Sequence, residues 1–266
     1  GQERVLVPAG FLGPMGLAIS SNGGLYAADG MSVVAISADG QRTRPGMLLD
    51  EGFPGFVRGL AAGPGGVLYV TTSAGSVASY HPGTRATTTL ASELNELLGL
   101  ARAADGSVIV AEAGAGRVLK VDSAGTTSSI AQGLSRPAGI AAAADGSCYV
   151  SEAGRGRVVK LNGGISTVVE GLQTPHGVAL AGDQLLILDT GSKELIGFSL
   201  TTKQRQTLAS NLPLGAAPGI TPKPLMGVPG LIPGPLSPFS GLTVGADGTI
   251  YISGDGEGSI LALRKA

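Results

Sequence analysis

GLARAADGSVIVAEAGAGRVLKVDSAGTTSSIAQGLSRPA, residues 99–138, is followed directly by GIAAAADGSCYVSEAGRGRVVKLNGGISTVVEGLQTPH, residues 139–176, and the second is a near copy of the first. An Asp-Gly turn recurs at Asp105-Gly106 and Asp145-Gly146, a carboxylate at Glu112 and Glu152, and an Arg-Val at Arg117-Val118 and Arg157-Val158, each 40 residues apart. A fixed period of this length marks stacked repeats, because a single unit cannot bury its apolar face alone.

Working outward, the glycine that opens each apolar run falls at Gly16, Gly59, Gly99, Gly139, Gly177 and Gly241, with spacings of 43, 40, 40, 38 and 64 residues. Each of these six units starts with two short apolar runs separated by a Gly-rich turn, as in GLAIS and GLYAAD of the first. Such runs, broken by Asp-Gly, Gly-Gly and Pro-Gly, signal hairpins. A third run follows (SVVAIS, SVASY, RVLKV, RVVKL, ELIGF, SILAL) and a fourth completes units one to five. The sixth unit has no fourth run, but ERVLV at residues 3–7 precedes the first unit. The N-terminal strand is therefore expected to complete the last blade, which leaves no long unpaired edge. The expectation is an all-β, six-bladed β-propeller of four-stranded blades, one domain over residues 1–266, with a Pro/Gly-rich insertion at about 212–240.

The composition agrees with a folded β-rich chain. Of 266 residues, 43% are hydrophobic and 14% charged, with 45 Gly and 16 Pro, and the net charge is −1. That balance supplies a full core and gives no bulk charge to draw the chain to nucleic acid or to an anionic membrane. The expected partner is a small-molecule ligand or a protein, and the expected state is a monomer. Cys148 is the single cysteine and lies in an apolar run, so it forms no internal disulfide and reads as a small buried hydrophobe. The compartment is not specified by these features.

The pattern Pro137-Ala138-Gly139, Asp145-Gly146, Tyr149-Val150-Ser151-Glu152, Gly154, Arg157 resembles the NHL repeat, and unit three follows it with Glu112, Gly114 and Arg117. The chain also resembles the wider group of six-bladed propellers that includes the senescence marker protein/gluconolactonase family and the streptogramin lyases. The resemblance implies that the loops entering the inner strand and leaving the second strand of each blade share one funnel-like face. The residues before the opening glycines are Met15, Arg58, Leu98, Ala138, His176 and Ser240. Those ending the second strands are Asp29, Thr72, Glu112, Glu152, Asp189 and Gly254.

Converging carboxylates can bind a divalent cation such as Ca²⁺ or Mg²⁺, so Asp29, Glu112, Glu152 and Asp189 form the candidate metal set. The alternative for Glu112 and Glu152 is an ion pair within the blade to Arg117 and Arg157, and for Asp29 and Asp189 a bond to nearby backbone. His176 in Thr174-Pro175-His176-Gly177 and Asp189 are the candidate catalytic pair, with imidazole as general base. Streptogramin lyases are similar in carrying a Pro-His-Gly histidine on this face, together with a second histidine. The other histidine here, His81, falls in a turn between outer strands. Two separated histidines exclude a histidine-rich zinc site.

Arg58, the single cation of the inner set, is expected to hold a carboxylate or phosphate. Met15, Leu98, Phe53 and Phe56 are expected to line the substrate site, and so are Leu225, Met226 and Phe239 of the insertion. That insertion is too rich in Pro and Gly for a helix and too apolar to lie free in water, which suggests a lid. Together these features suggest a hydrolase or lyase acting on a small molecule, with a non-catalytic protein-binding propeller as the alternative.

Overall fold

A computed structural model describes residues 2–216, 220, 225–228 and 232–264. Within the insertion, residues 217–219, 221–224 and 229–231 lie outside the described set. The described chain folds as six four-stranded antiparallel blades. Blade four is representative, with strands Pro137–Ala142, Cys148–Glu152, Arg157–Leu161 and Ile165–Val169 paired in chain order. The two middle strands of a blade are mostly buried, as in Cys148–Glu152, where every residue is buried. The outermost strand, such as Thr127–Ala131 of blade three, is largely exposed. This gradient explains why apolar runs occupy the middle of each repeat, while Thr and Ser fill its end.

Blade six contains Leu242–Val244, Ile250–Gly254 and Ser259–Arg264, and its outer strand is Gln2–Val7 from the N-terminus. Val5 pairs with Leu261 and Val7 with Ile260. Leu6 and Val7 then join Phe11, Leu17 and Ile260 in the apolar core between blades six and one. The ring is a β-propeller closed by its two chain ends.

Similar apolar clusters fill the other five seams between blades. At the axis the six opening glycines line a narrow channel of about 30 Å³, room for one water molecule. Neighbouring backbones meet there so closely that a Cβ on Gly139 would collide with the carbonyl oxygen of His176. In blades two and four a hydroxyl spans that approach. Gly139 N–H donates to Ser151 Oγ at 2.7 Å, and Ser151 Oγ–H donates to His176 O at 2.5 Å. Thr71 does the same between Gly59 and Leu98 O.

The insertion contributes a further antiparallel hairpin, Leu225–Val228 with Ile232–Leu236. Residues 237–240 then run as a strap to the inner strand of blade six.

Candidate functional site

The carboxylates at the ends of the second strands are buried, and each is tied to its own blade. Glu112 accepts from Asn95 N at 2.8 Å and pairs with Arg117 at 2.5 Å. Glu152 accepts from Ser135 N at 2.6 Å and pairs with Arg157 at 2.6 Å and Arg155 at 2.7 Å. Asp189 accepts from the backbone N–H groups of Gln173, Thr174 and Gly191 at 2.8, 2.7 and 3.2 Å. Asp29 accepts from Gly13 N at 2.9 Å. In each case the acid fastens the loop that enters its own inner strand, so buried charge is matched by nearby donors.

The acids of the expected metal ring are thus held apart on separate blades. Among the described residues no three His, Cys, Asp or Glu side chains gather closely enough to hold a metal ion. Asp29, Glu112, Glu152 and Asp189 do not form such a group with one another. Their bonding capacity goes largely to their own blades.

The expected catalytic pair is also separated in its bonding. Asp189 has no hydrogen bond to the His176 ring. His176 Nδ1 instead accepts from Ser240 N at 3.3 Å, and its ring stacks on Phe239 with centroids 6.1 Å apart. Burial lowers the imidazole pKa to about 4, an effect strengthened by Arg136 and Arg58 and opposed by Asp189. His176 is therefore a neutral buried base behind the strap at pH 7.

Beneath the hairpin lies a cavity of about 660 Å³. Met15, Met31, Phe56, Leu225, Met226, Ile232, Leu236 and Phe239 form its apolar walls, and Asp29 and Asp255 supply carboxyl groups. Of the residues expected to bind substrate, Met15, Phe56, Leu225, Met226 and Phe239 meet here. Phe53 does not: it packs edge-on to Tyr80, at 5.5 Å, beside the core between blades one and two. Leu98 is buried with Ala113, Ala138 and Phe239 and does not line the cavity.

Asp255 was missed because blade six ends its second strand in Gly254, and the acid is displaced by one residue. It performs a similar latch, accepting from Gly215 N at 3.1 Å and from Ser240 Oγ at 2.6 Å. Burial raises the pKa of both Asp29 and Asp255 above the usual carboxylate value, against the lowering effect of their hydrogen bonds.

Next to the strap, Arg58 is 1% exposed, and its guanidinium donates to the carbonyl oxygen of Ser237. Burial lowers its pKa to about 10; Glu96 opposes that shift and Arg136 adds to it. Glu96 pairs with Arg136 at 2.8 Å and accepts from the Ser237 hydroxyl. Glu96 and Arg136 also escaped the sequence reading, although they stand one repeat apart and each precedes an inner strand.

The sequence matches no protein-family model and no curated protein. Structural similarity is extensive. Aldose sugar dehydrogenase from Streptomyces coelicolor, in its PQQ-bound form, superposes with a TM-score of 0.71 at 15% identity over 98% of this chain and 97% of that one. Streptogramin B lyase gives 0.68 at 13% identity over 99% and 97%. Virginiamycin B lyase from Staphylococcus aureus gives 0.65 at 15% over 100% and 99%. The fold of this chain is similar to that of these three proteins. The nidogen/laminin complex is a further match, at 0.64 and 20% identity over 73% of this chain and 79% of that one, so the same fold also occurs in a protein complex.

Proposed function

We propose that this propeller is a small-molecule enzyme of hydrolase or lyase type, working in the cavity under the insertion hairpin, with Asp29 and Asp255 as its acid and base. The observation that carries the reading is the cavity itself: about 660 Å³, apolar on most sides, with two carboxyl groups in its lining. A pocket of this size suits a small organic ligand, and a few polar groups in apolar walls orient it. Burial favours the protonated form of each acid, so one can donate a proton to a leaving group while the other, ionised, accepts one. The hairpin acts as the lid. The existence of lyase and dehydrogenase propellers supports an enzyme on this fold. The proposed chemistry requires no divalent cation.

The test is a screen of medium-chain esters and lactones, followed by substitution. Asp29→Asn and Asp255→Asn are each expected to lower kcat by about 10² to 10⁴. Met15→Ala should instead raise KM. Turnover unaffected by both aspartate changes would remove them from the chemistry. A second reading, binding of a protein or peptide, is favoured by the exposure of Leu12, Leu225 and Met226 at the cavity rim, at 79%, 70% and 79%. Specific binding of apolar ligands without turnover of any ester or lactone would favour it.

A further inference from the structure

Arg58 is buried more deeply than most core leucines, yet its hydrogen bonding is incomplete. Among the described residues, Nε and Nη1 have no partner, and Nη2 has only the backbone carbonyl of Ser237. A guanidinium carries five N–H donors and stays charged at neutral pH, so a buried one with a single neutral acceptor is costly. The carboxylate beside it is already engaged, since Glu96 pairs with Arg136 and accepts from Ser237. Asp189 is held by three backbone N–H groups. His176, facing the strap from blade five, is neutral at pH 7. No carboxylate among the described residues is hydrogen-bonded to Arg58.

The acceptor that Arg58 does have belongs to the strap. Ser237, Pro238 and Phe239 also line the apolar cavity, so the strap separates the guanidinium from the ligand space. If residues 237–240 lift, the cavity and Arg58 become one site, with apolar walls at one end and a single cation at the other.

We propose that Arg58 recognises the carboxylate of a small monocarboxylic acid whose apolar body fills the cavity, the acid group replacing the Ser237 carbonyl as the strap lifts. The inference rests on the small-molecule reading above and names the class of ligand. A planar carboxylate can take two parallel N–H donors from a guanidinium. A carboxylate supplies the charged acceptor that Arg58 lacks. A phosphate dianion has no apolar body to fill the cavity.

The test compares cyclohexanecarboxylate with the uncharged cyclohexylmethanol, and with inorganic phosphate, by calorimetric titration of the full chain. The acid is expected to bind the wild type at least about ten-fold more tightly than the alcohol, as a charge-assisted pair implies. Arg58→Met should abolish that preference, and Arg58→Lys should retain part of it. Equal binding of acid and alcohol to the wild type, or a preference that survives in Arg58→Met, would overturn the role of Arg58 and leave the apolar pocket standing. Phosphate binding as tightly as the acid would overturn the carboxylate class. If neither organic probe binds, the small-molecule reading itself fails and takes this inference with it. The wild-type comparison decides the matter even if Arg58→Met does not fold.

Discussion

Glu152 in blade four and Arg58 in blade two are buried almost equally, at 0% and 1% exposure, but their surroundings are opposite. Glu152 accepts from a backbone N–H and from two arginines. Arg58 has one carbonyl, and two of its nitrogens have no described partner. Burial of charge therefore does not separate these two residues; the degree to which the charge is satisfied does. A latch needs its partners in the folded protein at all times, whereas a recognition site keeps donors for a molecule that arrives later.

The comparison breaks first at Glu152. Glu152→Ala leaves Ser135 N–H, Arg155 and Arg157 without their shared acceptor and frees the loop entering blade four. Breaking a buried pair from one side costs about 3–5 kcal/mol, so urea unfolding should show a loss of that size. Both arginines keep some solvent access, which places the expected value at the lower end. A loss below about 1 kcal/mol would mean that this acid is no latch.

His176 sharpens the comparison through pH. Its folded pKa of about 4 lies below the ordinary 6.5, so the unfolded chain binds the proton more readily. The stability associated with the neutral ring is complete above about pH 6.5 and is lost as pH falls toward 4, up to about 3 kcal/mol in all. His176→Asn, which can still accept from Ser240 N–H, should flatten that part of the acid limb in melting measurements. Asp29 and Asp255 act with the opposite sign. Their raised pKa values favour folding while they are protonated, and that contribution fades as pH rises through the folded values.

The legible parts of the molecule were those that repeat. Six glycines at near-regular spacing gave the blade boundaries, because close backbone approach at the axis excludes a Cβ in every blade. The missing fourth strand of unit six pointed to Gln2–Val7, because an open edge is unfavourable. The Glu112–Arg117 and Glu152–Arg157 pairs followed from residues directly opposite each other across a hairpin. What could not be read depended on segments with no repeat to align. Ser237 reaches Arg58 across a separation of 179 residues, through an insertion with no counterpart in other blades. The separate bonding of the ring acids was hidden for a related reason. Their spacing shows that acids recur, but only the loop geometry shows that each turns to its own backbone.

The smallest expected effect is also the sharpest contrast with Glu152. Arg58→Met removes a charge whose described partners are one carbonyl oxygen and no carboxylate, and it puts an apolar chain of similar length among buried neighbours. The loss of one hydrogen bond to Ser237 O costs about 1 kcal/mol. Relief from burying an incompletely paired guanidinium works in the other direction and is of similar size or larger. Ser237 keeps its hydroxyl bond to Glu96, so the strap is not released. The stability of Arg58→Met should accordingly fall within about 1 kcal/mol of the wild type, or exceed it, in the same urea experiment. A loss near that of Glu152→Ala would show that Arg58 anchors the strap as Glu152 anchors its loop, and the distinction between the two buried charges would collapse.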